Sequence, residues 1–188
     1  KDANGKTALA HAAIQEHFST AKVLIKFGAD LNQDLLYASR RGYNKMVNFL
    51  LNEKADIDYI SVKSETALTL AIQEKQLETV RILLERGANT AVKNAKEQTP
   101  LMIAVLTGET QIVKLIFKHQ KQNSSPLEID TTDFIGNTPL MVSAEKGFLD
   151  IAKLLLENGA KVESINRWNE TALMFASSKG FREIASLL

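Results

Sequence analysis

Apolar and small residues recur along this chain as pairs of short blocks, each at helical spacing and each pair followed by a polar, turn-rich stretch. The clearest pair lies between Thr138 and Gly159. Leu140, Val142, Ser143 and Ala144 form a first block with a small, apolar inner face. Ile151, Ala152, Leu154 and Leu155 form a second, with the spacing of an amphipathic helix. Thr138 stands before the first block as an N-cap, where its hydroxyl can accept from an orphan N–H of the opening turn. Pro139 follows at the first helical position, where a missing donor costs nothing. Gly147 and Gly159 end the two helices, and Asp133 to Gly136 reads as the turn before them. Lys153 and Glu157, one turn apart on the polar side of the second helix, are expected to pair.

The same pattern is legible five more times. Thr7, Thr66, Thr99 and Thr171 stand where Thr138 does, and Pro100, Ala8, Ala67 and Ala172 stand where Pro139 does. Ala12, Ala38, Ala71, Ala104 and Ala176 match Ser143 as the small inner position. Leu24, Leu50, Leu83, Ile116, Leu155 and Leu188 form a matching ridge on the second helices. The glycines keep the same register. Gly5 and Gly136 open units, Gly42, Gly108, Gly147 and Gly180 lie at their middles, and Gly28, Gly87 and Gly159 close them. A two-helix unit this short cannot bury its apolar faces alone, so the units must stack. The expected organisation is one array over residues 1–188, with units at about 2–32, 33–58, 59–91, 92–130, 131–163 and 164–188, the second shortened and the last truncated.

These residues resemble the ankyrin-repeat family, whose unit reads roughly D-x-x-G-x-T-P-L-H-x-A-A-x-x-G before a helix ending L-L-x-x-G-A. The nearest copies run from Asp133 to Met141 and from Leu83 to Ala88, and the resemblance covers the whole chain. It implies an all-α fold, an α-solenoid of antiparallel helix pairs with β-hairpin fingers, elongated and bent. The family's histidine after T-P-L is missing from every unit. Met102, Met141, Met174, Thr69, Ala10 and Leu36 hold its place, which affects hydrogen bonding between repeats rather than the fold.

Two units break the period. Between Asn32 and Asp34 the chain is about seven residues short of the family's repeat of about 33, which leaves no room for a finger. The chain is expected to run almost directly from Leu31 into the helix bearing Leu35, Leu36 and Ala38. Conversely, Gln120–Leu127, with Ser124, Ser125 and Pro126, adds about six residues after a second helix and reads as a surface loop.

Composition narrows the function classes. The 188 residues carry a formal net charge of +1, so no strong field draws the chain to nucleic acid or anionic lipid. Basic residues such as Lys93, Lys96, Arg40, Arg41 and Arg167 alternate with Glu65, Glu74, Glu145 and Glu170, giving a mixed surface. Cysteine is absent, and His11, His17 and His119 lack any metal-ligand spacing, so no metal and no cofactor is expected. No nucleophile elbow or phosphate loop is present, and the carboxylate pairs Glu128 with Asp130 and Asp56 with Asp58 read as turn residues. The segment is therefore read as non-enzymatic. No apolar run reaches the about 18 residues of a membrane span. The start at Lys1 and the apolar end at Ile184, Leu187 and Leu188 suggest a piece of a longer protein. Lysine outnumbers arginine, and Asn and Gln are frequent, as in AT-rich genomes such as those of bacteria living with eukaryotic hosts. The expected location is cytoplasmic, the host's cytoplasm if the protein is translocated.

The resemblance implies binding of a partner protein through finger tips and the adjoining surface of the first helices. Carried onto this chain, that surface holds Phe134, Ile135, Arg167 and Trp168 as anchors, since turn tips have no packing need for large apolar groups. Lys63 and Lys96 stand on other fingers, and Arg40, Arg41, Glu145 and Lys146 on first helices. Tyr37 falls where other units place Leu70, Ile103 and Val142, and is expected in the core. The alternative is a substrate-recruiting arm of a larger enzyme, such as a secreted bacterial effector, whose catalytic domain lies elsewhere.

Overall fold

A computed structural model describes residue 2, residues 6–122 and residues 128–188. Gly5 and the core of the expected insertion, with Ser124, Ser125 and Pro126, lie outside the described residues. Twelve helices form among the described residues, and no strand. They group into two compact units, Lys1–Asn89 and Thr90–Leu188.

The first unit contains α1 (Ala8–Ile14), α2 (Phe18–Lys26), α3 (Leu31–Arg41), α4 (Asn44–Asn52), α5 (Ala67–Gln73) and α6 (Leu77–Glu85). The odd-numbered helices pack on one another, α1 on α3 and α3 on α5, while α4 packs on α6. The second unit repeats the scheme with α7 (Pro100–Thr107), α8 (Thr110–Gln122), α9 (Pro139–Lys146), α10 (Leu149–Glu157), α11 (Ala172–Lys179) and α12 (Arg182–Leu187). There α7, α9 and α11 form one layer and α8, α10 and α12 the other.

The threonine caps form as the sequence suggests. Thr7, Thr66, Thr99, Thr138 and Thr171 each accept from the N–H three residues on, at 2.9–3.3 Å. At Thr66 a second bond completes the cap: the buried Thr69, one of the replacements for the family histidine, accepts from the Thr66 N–H at 2.8 Å. The inner small positions are sealed, with Ala38, Ala71, Ala104, Ser143 and Ala176 fully buried. Leu50, Leu83, Ile116 and Leu155 are fully buried as the ridge, whereas Leu24 and Leu188 are only half-buried.

The second helices start differently. In α2, α4, α6, α10 and α12 the cap positions, His17, Tyr43, Gln76, Phe148 and Phe181, make no side-chain cap bond. Three of these side chains lie instead over the mid-unit glycine of the preceding repeat: Gln76 over Gly42, Phe148 over Gly108 and Phe181 over Gly147. A Cβ at Gly147 would sit 2.7 Å from the Phe181 ring.

The short second unit has no finger, as expected, but the helix also reaches further back. Leu31 and Asn32 are already helical, and Asp30 caps them by accepting from the Asn32 and Gln33 N–H groups at 3.0 and 3.1 Å. With no finger to build, those residues extend α3 to eleven, against seven or eight in the other first helices. The Lys153–Glu157 pair is not among the ion pairs of the described residues; Glu157 ends α10, where the long side chains have little to hold them together.

Candidate partner-binding surface and family relationships

In the second unit the loops before α7, α9 and α11 are built alike. The first residue of each loop closes it by a backbone bond: Asn94 N–H to Gln98 O, Asp133 N–H to Asn137 O, and Asn166 N–H to Glu170 O, at 3.0–3.1 Å. The side-chain oxygen of that same residue accepts two further tip N–H groups, at 2.9–3.0 Å in every loop. These fingers are therefore side-chain-braced turns rather than paired strands. They are too short for a ladder, and the Asn or Asp oxygen takes the donors that a strand would use.

Neighbouring fingers are then stitched together. Phe134 N–H donates to Lys96 O and Arg167 N–H to Ile135 O, both at 3.2 Å, and Asn166 Nδ2 donates to Asn137 Oδ1 at 3.0 Å. Gly136 belongs to this join, because a Cβ there would meet the Arg167 nitrogen at 3.1 Å. The stitching fixes the backbone and leaves the side chains free. Phe134 is 47% exposed and Trp168 62% exposed, and Arg167 and Lys96 are also exposed. Ile135 is half-buried, and its main role is to supply the carbonyl for Arg167. Glu145 and Lys146 form an ion pair of 3.7 Å at the far end of α9, about 11 Å along the helix from its cap.

In the first unit Arg40 Nη2 donates to Glu65 at 3.3 Å, Arg41 is exposed at the end of α3, and Lys63 is exposed on the finger before α5. Tyr37 corrects an expectation. Leu70, Ile103 and Val142 are buried at the matching position, whereas Tyr37 is half-exposed, because no finger stands beside its helix to cover it. Partial burial, with Tyr43 beside it, holds its phenol above the usual tyrosine value. Tyr37, Gln33, Glu65 and Val62 line a cleft of about 250 Å³. The shortened unit was the sequence signal for this opening, but not for which residues line it.

Other polar side chains brace one repeat against the next. Asn32 Oδ1 accepts from the Asp56 N–H, Asp58 from the Asn89 N–H, and Asp130 from the Lys161 N–H, at 2.8–3.0 Å, each bracing the following repeat. His11 lies 2.9 Å from Asp2, and burial lowers the pKa of His119. Among the described residues no group of three or more His, Asp and Glu converges to hold a metal ion, and no helix is long and apolar enough to cross a membrane.

Residues 35–126 and 122–188 match the family model for ankyrin repeats (three copies), and residues 4–34 match that for a single ankyrin repeat. The chain belongs to the ankyrin-repeat family. Proteins of this family are generally interaction modules rather than catalysts. One relative is the putative ankyrin repeat protein YahD of Escherichia coli (strain K12), 29% identical over 172 residues, covering 85% of this chain and 83% of YahD. Another is the putative ankyrin repeat protein L371 of Acanthamoeba polyphaga mimivirus, 30% identical over 85% of this chain but only 22% of the viral protein. A third is the glycerophosphocholine phosphodiesterase GDE1 of Candida albicans (strain SC5314 / ATCC MYA-2876), 30% identical over 86% of this chain and 14% of that protein.

Proposed function

We propose that this ankyrin-repeat chain binds a partner protein through its finger tips and the adjoining first-helix surface, without catalysing a reaction itself. One observation carries the reading: Phe134 and Trp168 project from tips whose backbones are already locked by side-chain braces and inter-finger bonds. A large apolar group on a rigid support loses little freedom on binding, so more of its burial appears as affinity. Trp and Arg are also enriched among residues that dominate binding energy, and Arg167 stands beside Trp168. The partner is another protein rather than nucleic acid or membrane, since the net charge is +1.

The test is a pull-down with the intact protein, followed by titration of the recovered partner. Trp168→Ala should weaken binding by about 2 kcal/mol or more without loss of helical signal. Unchanged affinity for the Phe134→Ala/Trp168→Ala double variant would remove the finger tips from the interface. A second reading makes the array the substrate-recruiting arm of a larger enzyme. The similarity to GDE1, where the matched segment is a small part of a protein named for a phosphodiesterase activity, supports that variant. A location in a cytoplasm, the host's if the protein is delivered there, agrees with either reading.

A further inference from the structure

In the second unit the fingers before α9 and α11 each donate one backbone bond to the finger before them, from the second residue of the tip to the third of its neighbour: Phe134 to Lys96, Arg167 to Ile135. In the first unit the finger before α5 is Ser61–Thr66 in the same frame, so Val62 is the corresponding donor. The finger that would receive its bond is the one the second repeat lacks. The Val62 N–H makes no hydrogen bond among the described residues, and its side chain is fully exposed. The rest of this finger is closed in the usual way. Ser61 N–H donates to Glu65 O at 2.9 Å, and Ser61 Oγ accepts from the Lys63 and Glu65 N–H groups at 3.2 Å. The open donor is thus on a formed edge rather than a frayed one.

That edge faces the cleft left by the absent finger. Its walls are Leu36, Tyr37 and Arg40 of α3 on one side and Val62, Lys63 and Leu70 on the other. Arg40 carries a second unsatisfied donor: Nη2 is held by Glu65, but Nε is shut off from solvent with no acceptor. Of the charged groups in the lining, Glu65 is held by Arg40 and Asp34 is buried and accepts from Thr7, so the exposed charge facing the cleft is Lys63. Two donors without acceptors, apolar walls and this one cation together specify what fits.

We propose that the vacant finger position is a docking slot for an extended segment of a partner protein, apolar at one residue and acidic at the residue beside it. The segment replaces the missing finger. A backbone carbonyl accepts from Val62 N–H, as Lys96 and Ile135 carbonyls accept in the second unit, which is sheet-edge addition on the scale of one turn. The apolar side chain lies between Tyr37 and Val62, and the carboxylate faces Lys63. This rests on the proposed binding function and gives it a second surface, in the first unit.

The experiment pans the intact protein against random decapeptides displayed on phage. Peptides pairing acidic with apolar residues should be enriched. Val62→Pro decides the mechanism. Val62 is the second residue of the turn closed by the Ser64 N–H to Ser61 O bond, a place that suits proline, so the variant removes the donor and keeps the turn. It should weaken the selected peptides about tenfold, while Val62→Ala, which keeps the N–H, should cost much less. Lys63→Glu should weaken them by about tenfold again. The Phe134→Ala/Trp168→Ala variant should bind them as the parent does. Peptides insensitive to Val62→Pro and Lys63→Glu would overturn the slot, as would no enrichment. Peptides lost only with Phe134 and Trp168 would overturn it while leaving the finger-tip reading intact.

Discussion

Gly147→Ala separates two reasons for a glycine at the end of α9. The first is the backbone. Gly147 sits at φ +76, and its N–H closes the helix on the Ser143 carbonyl. An L residue in that left-handed region costs about 1–2 kcal/mol. The second is the neighbour, since a methyl group there would lie 2.7 Å from two atoms of the Phe181 ring and 3.0 Å from a third. The ring is half-buried at the start of α12, and pushing it aside loses part of its contact, at about 1–2 kcal/mol more. The total is therefore about 2–4 kcal/mol. Gly180→Ala is the matched control, with φ +75, the same helix-end role and no heavy atom within 4 Å of the added methyl, so only the first cost applies. Urea unfolding at equal slope would measure both. Adding Phe181→Ala should recover the neighbour's share, giving a coupling of about 1–2 kcal/mol in a double-mutant cycle. Equal losses for the two glycine variants, with additivity in the cycle, would refute the claim that the next repeat needs the bare Cα.

Three further outcomes are expected. Lys54 holds φ +74 at the unit-closing position that glycine holds elsewhere, so Lys54→Gly should raise the urea midpoint by about 0.5–1 kcal/mol equivalent. Thr69→Val keeps the shape but strips the acceptor from the buried Thr66 N–H, and should cost about 1–3 kcal/mol in the same assay. Burial lowers the His119 pKa from 6.5, so the unfolded chain binds the proton more readily. Stability should be intact above about pH 6.5 and fall as pH drops toward the folded-state value, and His119→Gln should flatten that part of a pH–melting curve.

Much of this molecule was legible residue by residue because its signals are local. A threonine three residues before a buried N–H, or a glycine at the end of a helix, acts within one turn of backbone, so the repeat, its caps and the missing finger could be read from the chain alone. Even so, the glycine code was incomplete. Lys54, Lys75, Ser64, Glu97 and Asn169 adopt the same left-handed conformation without the residue that announces it, each held there by the unit around it.

What the chain could not specify by itself was which equivalent positions are covered. Tyr37 occupies a core position by pattern and a cleft wall in fact. Propensity and capping are properties of a few consecutive residues and are written in them. Burial, the bond from one finger to the next and the open Val62 donor belong to pairs of units, and depend on whether a neighbour is present to complete them.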